Sequence, residues 1–328
     1  MRYGTRSGLV LLAVVAIGVC VLRILIDRDP SGAIGLALPA PEYARYRWVP
    51  MVNASIAGVA LSISGLLLQA LLRNPLASPY LLGVSSGAGL GVMAALYLSY
   101  VTGVTAPGVL SSTVPAAAGG LLTLGLVYAL SQRRGWLDPV SLILIGVVMS
   151  TICAAGIMFF QHLVPTGLRG EFTNWLMGYI PEDTPTGSIA AAGAATLLGL
   201  GLAHSMGRSL DVASLGDDEA RGVGLSLGST RLVLFALAGV LAAIAVTLVG
   251  PIGFVGLISP HAARLVLGPG HRPLVAGAAL CGVILLVGAD TARQAIDLGA
   301  GRMPPGVFTA MIGGPLFIWL LLSQRDLS

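Results

Sequence analysis

Ten apolar runs closed by charge, glycine or proline dominate this chain. Most approach the length, about 20 residues, at which a helix crosses the hydrocarbon core of a bilayer. They lie near Leu9 to Ile26, Met51 to Leu72, Tyr80 to Tyr100, Val114 to Leu130, Val140 to Phe160, Ile189 to Met206, Leu232 to Val249, a short Ile252 to Leu267, Leu274 to Ala289, and Gly306 to Leu322. The expected fold class is therefore all-α, a polytopic membrane protein of about ten transmembrane helices. Of the 328 residues 55% are hydrophobic and 10% charged, against about 25% charged in a soluble domain. Ten spans and their connectors consume the whole length, so residues 1–328 read as a single transmembrane domain with membrane lipid as its solvent.

Arg2 and Arg6 ahead of the first run could also be the charged part of a signal peptide. No small-x-small cleavage site follows, and Val19 before Cys20 makes a poor lipoprotein signal, so a retained first helix is expected. All 18 basic residues are arginine, which reads as composition bias and carries no function. Their positions carry topology. With the N-terminus cytoplasmic, 11 arginines fall inside and seven outside, the bias of the positive-inside rule. That predicts a multi-pass protein with both termini in the cytoplasm; the fully reversed chain is the competing topology. The net charge of +4 is thereby absorbed by short loops, and no nucleic-acid partner is indicated. Cys20, Cys153 and Cys281 sit inside apolar runs without CxxC spacing, and His162, His204, His261 and His271 stand far apart, so no metal site is expected.

Gly, Ala and Ser crowd the spans, as in Gly58 to Gly65, Gly83 to Gly91 and Gly193 to Gly201. Small residues let helices approach closely in lipid, a requirement of a static bundle and of a moving transporter alike. Two loops are not ordinary connectors. Between the sixth and seventh spans, within about 208–230, lies Leu215-Gly-Asp-Asp-Glu-Ala-Arg-Gly-Val-Gly-Leu225. Asp217, Asp218 and Glu219 suit the positive end of a short helix, Arg221 its negative end, and Gly222 or Gly224 a left-handed stop. A short capped helix and a solvated connector fit this chemistry equally well. After the second span come Gln69, Arg73 and the run Asn74-Pro75-Leu76, closed by Pro79, which predicts a rigid turn. Gln69 is polar at the end of an apolar helix; it faces protein or water, and a plain helix–helix hydrogen bond would satisfy it.

The runs Ser64-Gly-Leu-Leu-Leu-Gln-Ala-Leu-Leu-Arg-Asn-Pro-Leu-Ala77 and Leu82-Gly-Val-Ser-Ser-Gly-Ala88 resemble the second and third helices of the permeases that import iron-siderophores, haem and cobalamin. Leu215 to Gly224, Gly250-Pro-Ile-Gly-Phe-Val-Gly-Leu-Ile-Ser-Pro-His-Ala-Ala-Arg264, Ala289-Asp290 with Arg293, and Gly313-Gly-Pro-Leu-Phe-Ile-Trp319 are similar to later segments of that family, in order from Arg47 to the end. The resemblance implies a type II ABC importer permease. Such a subunit pairs with a second copy or paralogue along a translocation path, above two cytoplasmic ATPase subunits that bind ATP and Mg; the permease itself binds no cofactor. It implies that Gly216, Asp217, Asp218, Glu219, Ala220, Arg221, Gly222, Val223 and Gly224 form the element coupled to the ATPase. It also implies that Arg47 and Arg293 meet acidic residues of an extracytoplasmic substrate-binding protein. Here the family's Arg-x-Pro-Arg reads Arg47-Trp-Val-Pro50, with Arg45 as a candidate replacement, and its Glu-x-Pro-x-Gly reads Arg302-Met-Pro-Pro-Gly306. Gln69, Asn74, Pro75 and Leu76, with Asp138, Pro139 and Val140 ahead of the fifth helix, are the candidates for the path or its gate.

A chain with no lysine cannot contain the Gly-x-x-x-x-Gly-Lys-Ser/Thr loop, so the chain is read as non-catalytic. The implied function is alternating access driven by partner ATPases. Iron-siderophore import is placed first as the family's commonest use, and haem or cobalamin import is the alternative. A secondary transporter working without ATP is the different-class alternative, although it would call for ionisable residues or broken helices at mid-membrane. Asp290 and Arg293 lie near the outer end of the ninth span and read as an intrahelical ion pair.

Overall fold

The computed structural model describes residues 4–28, 34–103, 112–133, 136–296 and 303–325; Arg2 and Arg302, used above, lie outside them. Among the described residues, eight helices are long and apolar enough to span a membrane. They are α1 (Thr5–Leu25), α2 (Ala44–Leu72), α3 (Val84–Thr102), α4 (Thr113–Leu130), α5 (Pro139–Leu163), α7 (Thr186–Ser205), α10 (Leu227–Val249) and α12 (His271–Ala295). The short apolar helix α11 (Val255–Leu267) and the apolar helix α13 (Pro305–Arg325) complete the ten expected runs. Three further helices were not legible as apolar runs: α6 (Thr166–Leu176), α8 (Gly207–Ala213) and α9 (Asp217–Gly222). Two small antiparallel hairpins, β1 (Ile26–Arg28) with β2 (Ile34–Leu36) and β3 (Gln132–Arg133) with β4 (Trp136–Leu137), close connectors at opposite ends of the bundle.

The helix α2 is the hub. It packs against α10, α11 and α12, and 78% of its most apolar stretch is buried, against 22% for α1 and α5. Its glycines explain the closeness: a Cβ on Gly58 would strike the Gly282 carbonyl of α12, and a Cβ on Gly65 the Gly256 carbonyl of α11. Glycine at these crossings lets backbones touch where lipid supplies no hydrophobic drive.

The short α11 has a physical cause. Gly250 at φ +72° and Phe254 at φ +69° turn the chain sharply after α10. Thirteen residues at about 1.5 Å rise cover roughly 20 Å, too little for the hydrocarbon core. The sequence run from Ile252 is thus partly turn, and α11 begins inside the bundle. The long helices from α1 to α10 alternate in direction, and α11 brings the chain back so that α12 runs parallel to α10, its first residue His271 bonded to Asp211 of α8. The end of α2, the β3–β4 hairpin, α8, α9 and the starts of α10 and α12 therefore gather at the end where α1 begins, termed here the N-terminal face. The β1–β2 hairpin, α6 and the end of α12 gather at the far face.

Candidate functional site

At the N-terminal face the exposed segment after α8 folds into the short helix α9. Gly216 precedes it, and the Glu219 side chain reaches back to accept from the Gly216 N–H at 3.1 Å, half of a capping box. Of the two candidate glycines, Gly224 takes the left-handed conformation, φ +84°; Gly222 stays helical. The Leu225 N–H then bonds the Ala220 carbonyl at 3.0 Å and closes the end. Ala220 points inward and is fully buried, while Asp218, Arg221, Val223 and Leu215 are exposed. The helix thus presents a mixed acidic and apolar outer surface on one buried anchor.

Asp217 fixes that surface to the bundle. Its carboxylate pairs with Arg73 at 2.6 Å and with Arg231 at 2.8 Å. Arg73 is the left-handed residue ending α2, φ 48°, and its Nε also donates to the Ala213 carbonyl at 3.0 Å; Arg231 stands in the first turns of α10. Partial burial alone would raise the Asp217 pKa, but hydrogen bonds and charge from Arg73 and Arg231 outweigh it and hold the carboxyl below the usual carboxylate range. Asp217 and Glu219 therefore fasten the helix, and the free acidic charge on its outer side is Asp218. A second fastening lies nearby, where Asp211 of α8 accepts from both the backbone N–H and Nδ1 of His271 at the start of α12.

The turn after α2 is as rigid as its prolines predict. Asn74 Oδ1 accepts from the Leu76 N–H at 2.9 Å, and the Asn74 carbonyl from the Ala77 N–H at 3.0 Å; Pro75 and Leu76 are exposed. Gln69 is 3% exposed. Its Oε1 accepts from Arg264 Nη1 at 2.7 Å and its amide donates to the Leu257 carbonyl at 3.4 Å, so in this conformation it is the helix–helix bond between α2 and α11. Asp138 caps α5 by accepting from the Ser141 N–H at 2.8 Å, Pro139 takes the first turn, and Val140 is exposed.

At the far face, Arg45 is exposed with a long contact of 3.5 Å to the Thr184 carbonyl, and Arg47 is half-buried and donates to the Ile26 carbonyl. Arg293 departs from the expected exposed rim charge: it is 4% exposed and pairs with Asp290 of its own helix. The intrahelical pair has a third member that the sequence did not suggest. Arg23, at the end of α1, is fully buried and donates from Nε to the other Asp290 oxygen. With its amide oxygen turned toward Arg23, Gln294 accepts from that guanidinium at 2.7 and 3.0 Å. Nothing near Arg23 in the sequence points to this partner, which lies 267 residues away.

These features belong to a protein that presents a fastened, partly acidic short helix on one side and a basic cluster on the other. Residues 8–323 match the model of the FecCD transport family. The chain belongs to the FecCD transport family. The cobalamin import system permease protein BtuC of Halobacterium salinarum is 38% identical over 306 residues, 90% of this chain and 80% of that one. The hemin transport system permease protein HmuU of Yersinia pestis is 35% identical over 277 residues, 83% and 80% of the two chains. Among solved structures, a transporter described as of the metal-chelate ABC type, in an inward-facing conformation, superposes with a TM-score of 0.83 at 27% identity. It covers 97% of this chain and 99% of its own. The FecCD chain is thus a multi-span ABC importer permease with the type II architecture.

Proposed function

We propose that this FecCD chain forms, with a second copy or a paralogue, the membrane channel of an importer that moves a bulky metal chelate inward by alternating access. The N-terminal face, with both termini, lies in the cytoplasm of a bacterial cell and receives two ATPase subunits, which bind ATP and Mg. The whole of residues 1–328 is one permease domain that binds no cofactor, and about 208–230 is its coupling region. On the far face an extracytoplasmic binding protein delivers the solute, with Arg45 and Arg47 as the accessible charges. Arg293 contributes there through the basic cluster it shares with Arg23. A ferric siderophore remains one candidate solute; a cobalt corrin or an iron porphyrin has equal support, because the relatives are named for cobalamin and hemin.

The observation that carries this reading is the double ion pair of Asp217 with Arg73 and Arg231. Through it, force on α9 reaches the ends of α2 and α10, and Arg73 directly precedes the candidate gate turn Asn74-Pro75-Leu76. Exposed pairs are worth about 0–1 kcal/mol each, so the tie orients α9 while its exposed residues supply the ATPase contact. Charge at Val223, as in Val223→Asp together with Asp218→Arg, is expected to abolish co-elution with the ATPase subunits and solute uptake without lowering the melting temperature. Retained uptake by that double variant would remove α9 from the coupling role. Stimulation of ATP hydrolysis in vesicles by cyanocobalamin, hemin or a ferric siderophore, tested side by side with the binding protein, identifies the solute.

A further inference from the structure

Coupling through Arg73 reaches only one of the two candidate gate segments. The other, Asp138-Pro139-Val140, opens α5 on the far side of the β3–β4 hairpin. That hairpin is one unit with the start of α5. The Asp138 N–H donates to the Ser131 carbonyl at 3.2 Å, Ser131 is fully buried, and the Asp138 carboxylate caps the first turn.

Trp136 of the hairpin touches the coupling region. Trp136, on β4, lies with its ring centroid 5.9 Å from the guanidinium carbon of Arg221 in α9. The ring also lies against Gly228, in the first turn of α10, where an added Cβ would lie 2.7 and 2.8 Å from two ring carbons. Trp136 is 51% exposed, so such an overlap would be relieved by displacing the ring outward. Trp136 is thus seated on the backbone of α10, held under α9 by a cation–π contact, and placed two residues before the cap of α5. Tyr128, Gln132 and Ser229 border the same cleft, about 300 Å³ in volume.

We propose that Trp136 is a positioning residue that transmits displacement of α9 to the start of α5. The inference rests on the coupling role of α9 proposed above. An exposed cation–π pair is too weak to pull a helix. It holds Arg221 over the ring, and the push is delivered through the seat of the ring against α10 and the hydrogen-bonded hairpin. Arg73 and Trp136 then give α9 one link to each candidate gate segment, so both segments move in one ATP-driven step.

The test uses the full permease assembled with its ATPase subunits and a spin label at Val140→Cys, with the three native cysteines replaced. ATP is expected to change the mobility of the label in the parent complex. Trp136→Ala is expected to remove at least four-fifths of that change while ATP hydrolysis stays within twofold; Trp136→Phe, which keeps a ring face, should restore it. Gly228→Ala lifts the ring with both side chains present, and should also blunt the response, which keeps the proposal falsifiable if Trp136→Ala folds poorly. An unchanged response in Trp136→Ala, or in Gly228→Ala, overturns the proposal. Loss of ATPase co-elution in Trp136→Ala overturns it too, because Trp136 would then be part of the docking face. The failure of the coupling reading looks different: Val223→Asp with Asp218→Arg would leave co-elution and the Val140 response intact.

Discussion

Asp290 accepts from arginines of two helices inside the bundle, and its removal would leave Arg23 and Arg293 buried side by side with no counter-charge among the described residues. Breaking a buried pair by deleting one partner costs about 3–5 kcal/mol, because the remaining charge stays desolvated. Asp290→Asn is therefore expected to lower the melting temperature in detergent sharply. Arg23→Met should cost less, since Asp290 keeps Arg293 and the methionine stem refills the volume. An equal loss in both variants would deny Asp290 its shared role. The pair on the other face behaves differently with pH. Native contacts lower the Asp217 pKa, so their stabilisation is fully present above the unfolded carboxyl value of about 3.9 and is lost as pH falls through the lower folded value. Hydrogen exchange of the α9 amides, corrected for intrinsic rate, should be flat from about pH 5 to 8 and rise only below about pH 4, whereas Asp217→Asn should raise it throughout. Asp217 was legible in the sequence because helix-end chemistry is local. Arg23 was not, because nothing near residue 23 names a partner at residue 290.

The same division between local and distant signals runs through the elements. All ten apolar runs became helices, since length and hydropathy act within one segment, and the left-handed stop of α9 followed from glycine at the right offset. The helix α6 escaped because its 11 residues mix Arg169, Glu171 and Asn174 with apolar positions and fall short of a span. Glycine content announced close packing without saying which helices meet, because many spacings of small residues fit a helix face equally well. The meeting of α2 and α12 is the sharpest case, as Gly58 and Gly282 each leave no room for a Cβ on the other. Overpacking a core costs about 1–3 kcal/mol when neighbours can shift. Here the obstacle is backbone, so Gly282→Leu should reach or exceed the upper end of that range, read as loss of folded protein in fluorescence-detected gel filtration. Gly201→Leu, at a position with open space around it, serves as the control and should be silent; equal damage from both would argue against a close α2–α12 crossing.

At the scale of the whole molecule, the two charged assemblies sit at opposite ends of the bundle, one on α2, α9 and α10 and the other on α1 and α12. Arg73 ends α2 and Asp217 grips it at the N-terminal face, while Arg23 and Asp290 join α1 to α12 at the far face. An importer subunit needs that polarity, with an ATPase below and a solute-delivering protein above, and the reversed topology would present α9 to the wrong compartment. Arginine distribution favours α9 inside, and accessible cysteines decide it. Asp218 on α9 and Asp183 between α6 and α7 are both exposed and belong to opposite faces. In a background with Cys20, Cys153 and Cys281 replaced, Asp183→Cys in intact cells should react with a membrane-impermeant maleimide, and Asp218→Cys only after the membrane is opened. The opposite pattern would invert the molecule. Labelling of both from outside would mean that α9 is not a cytoplasmic helix, and force from an ATPase could not enter the chain there.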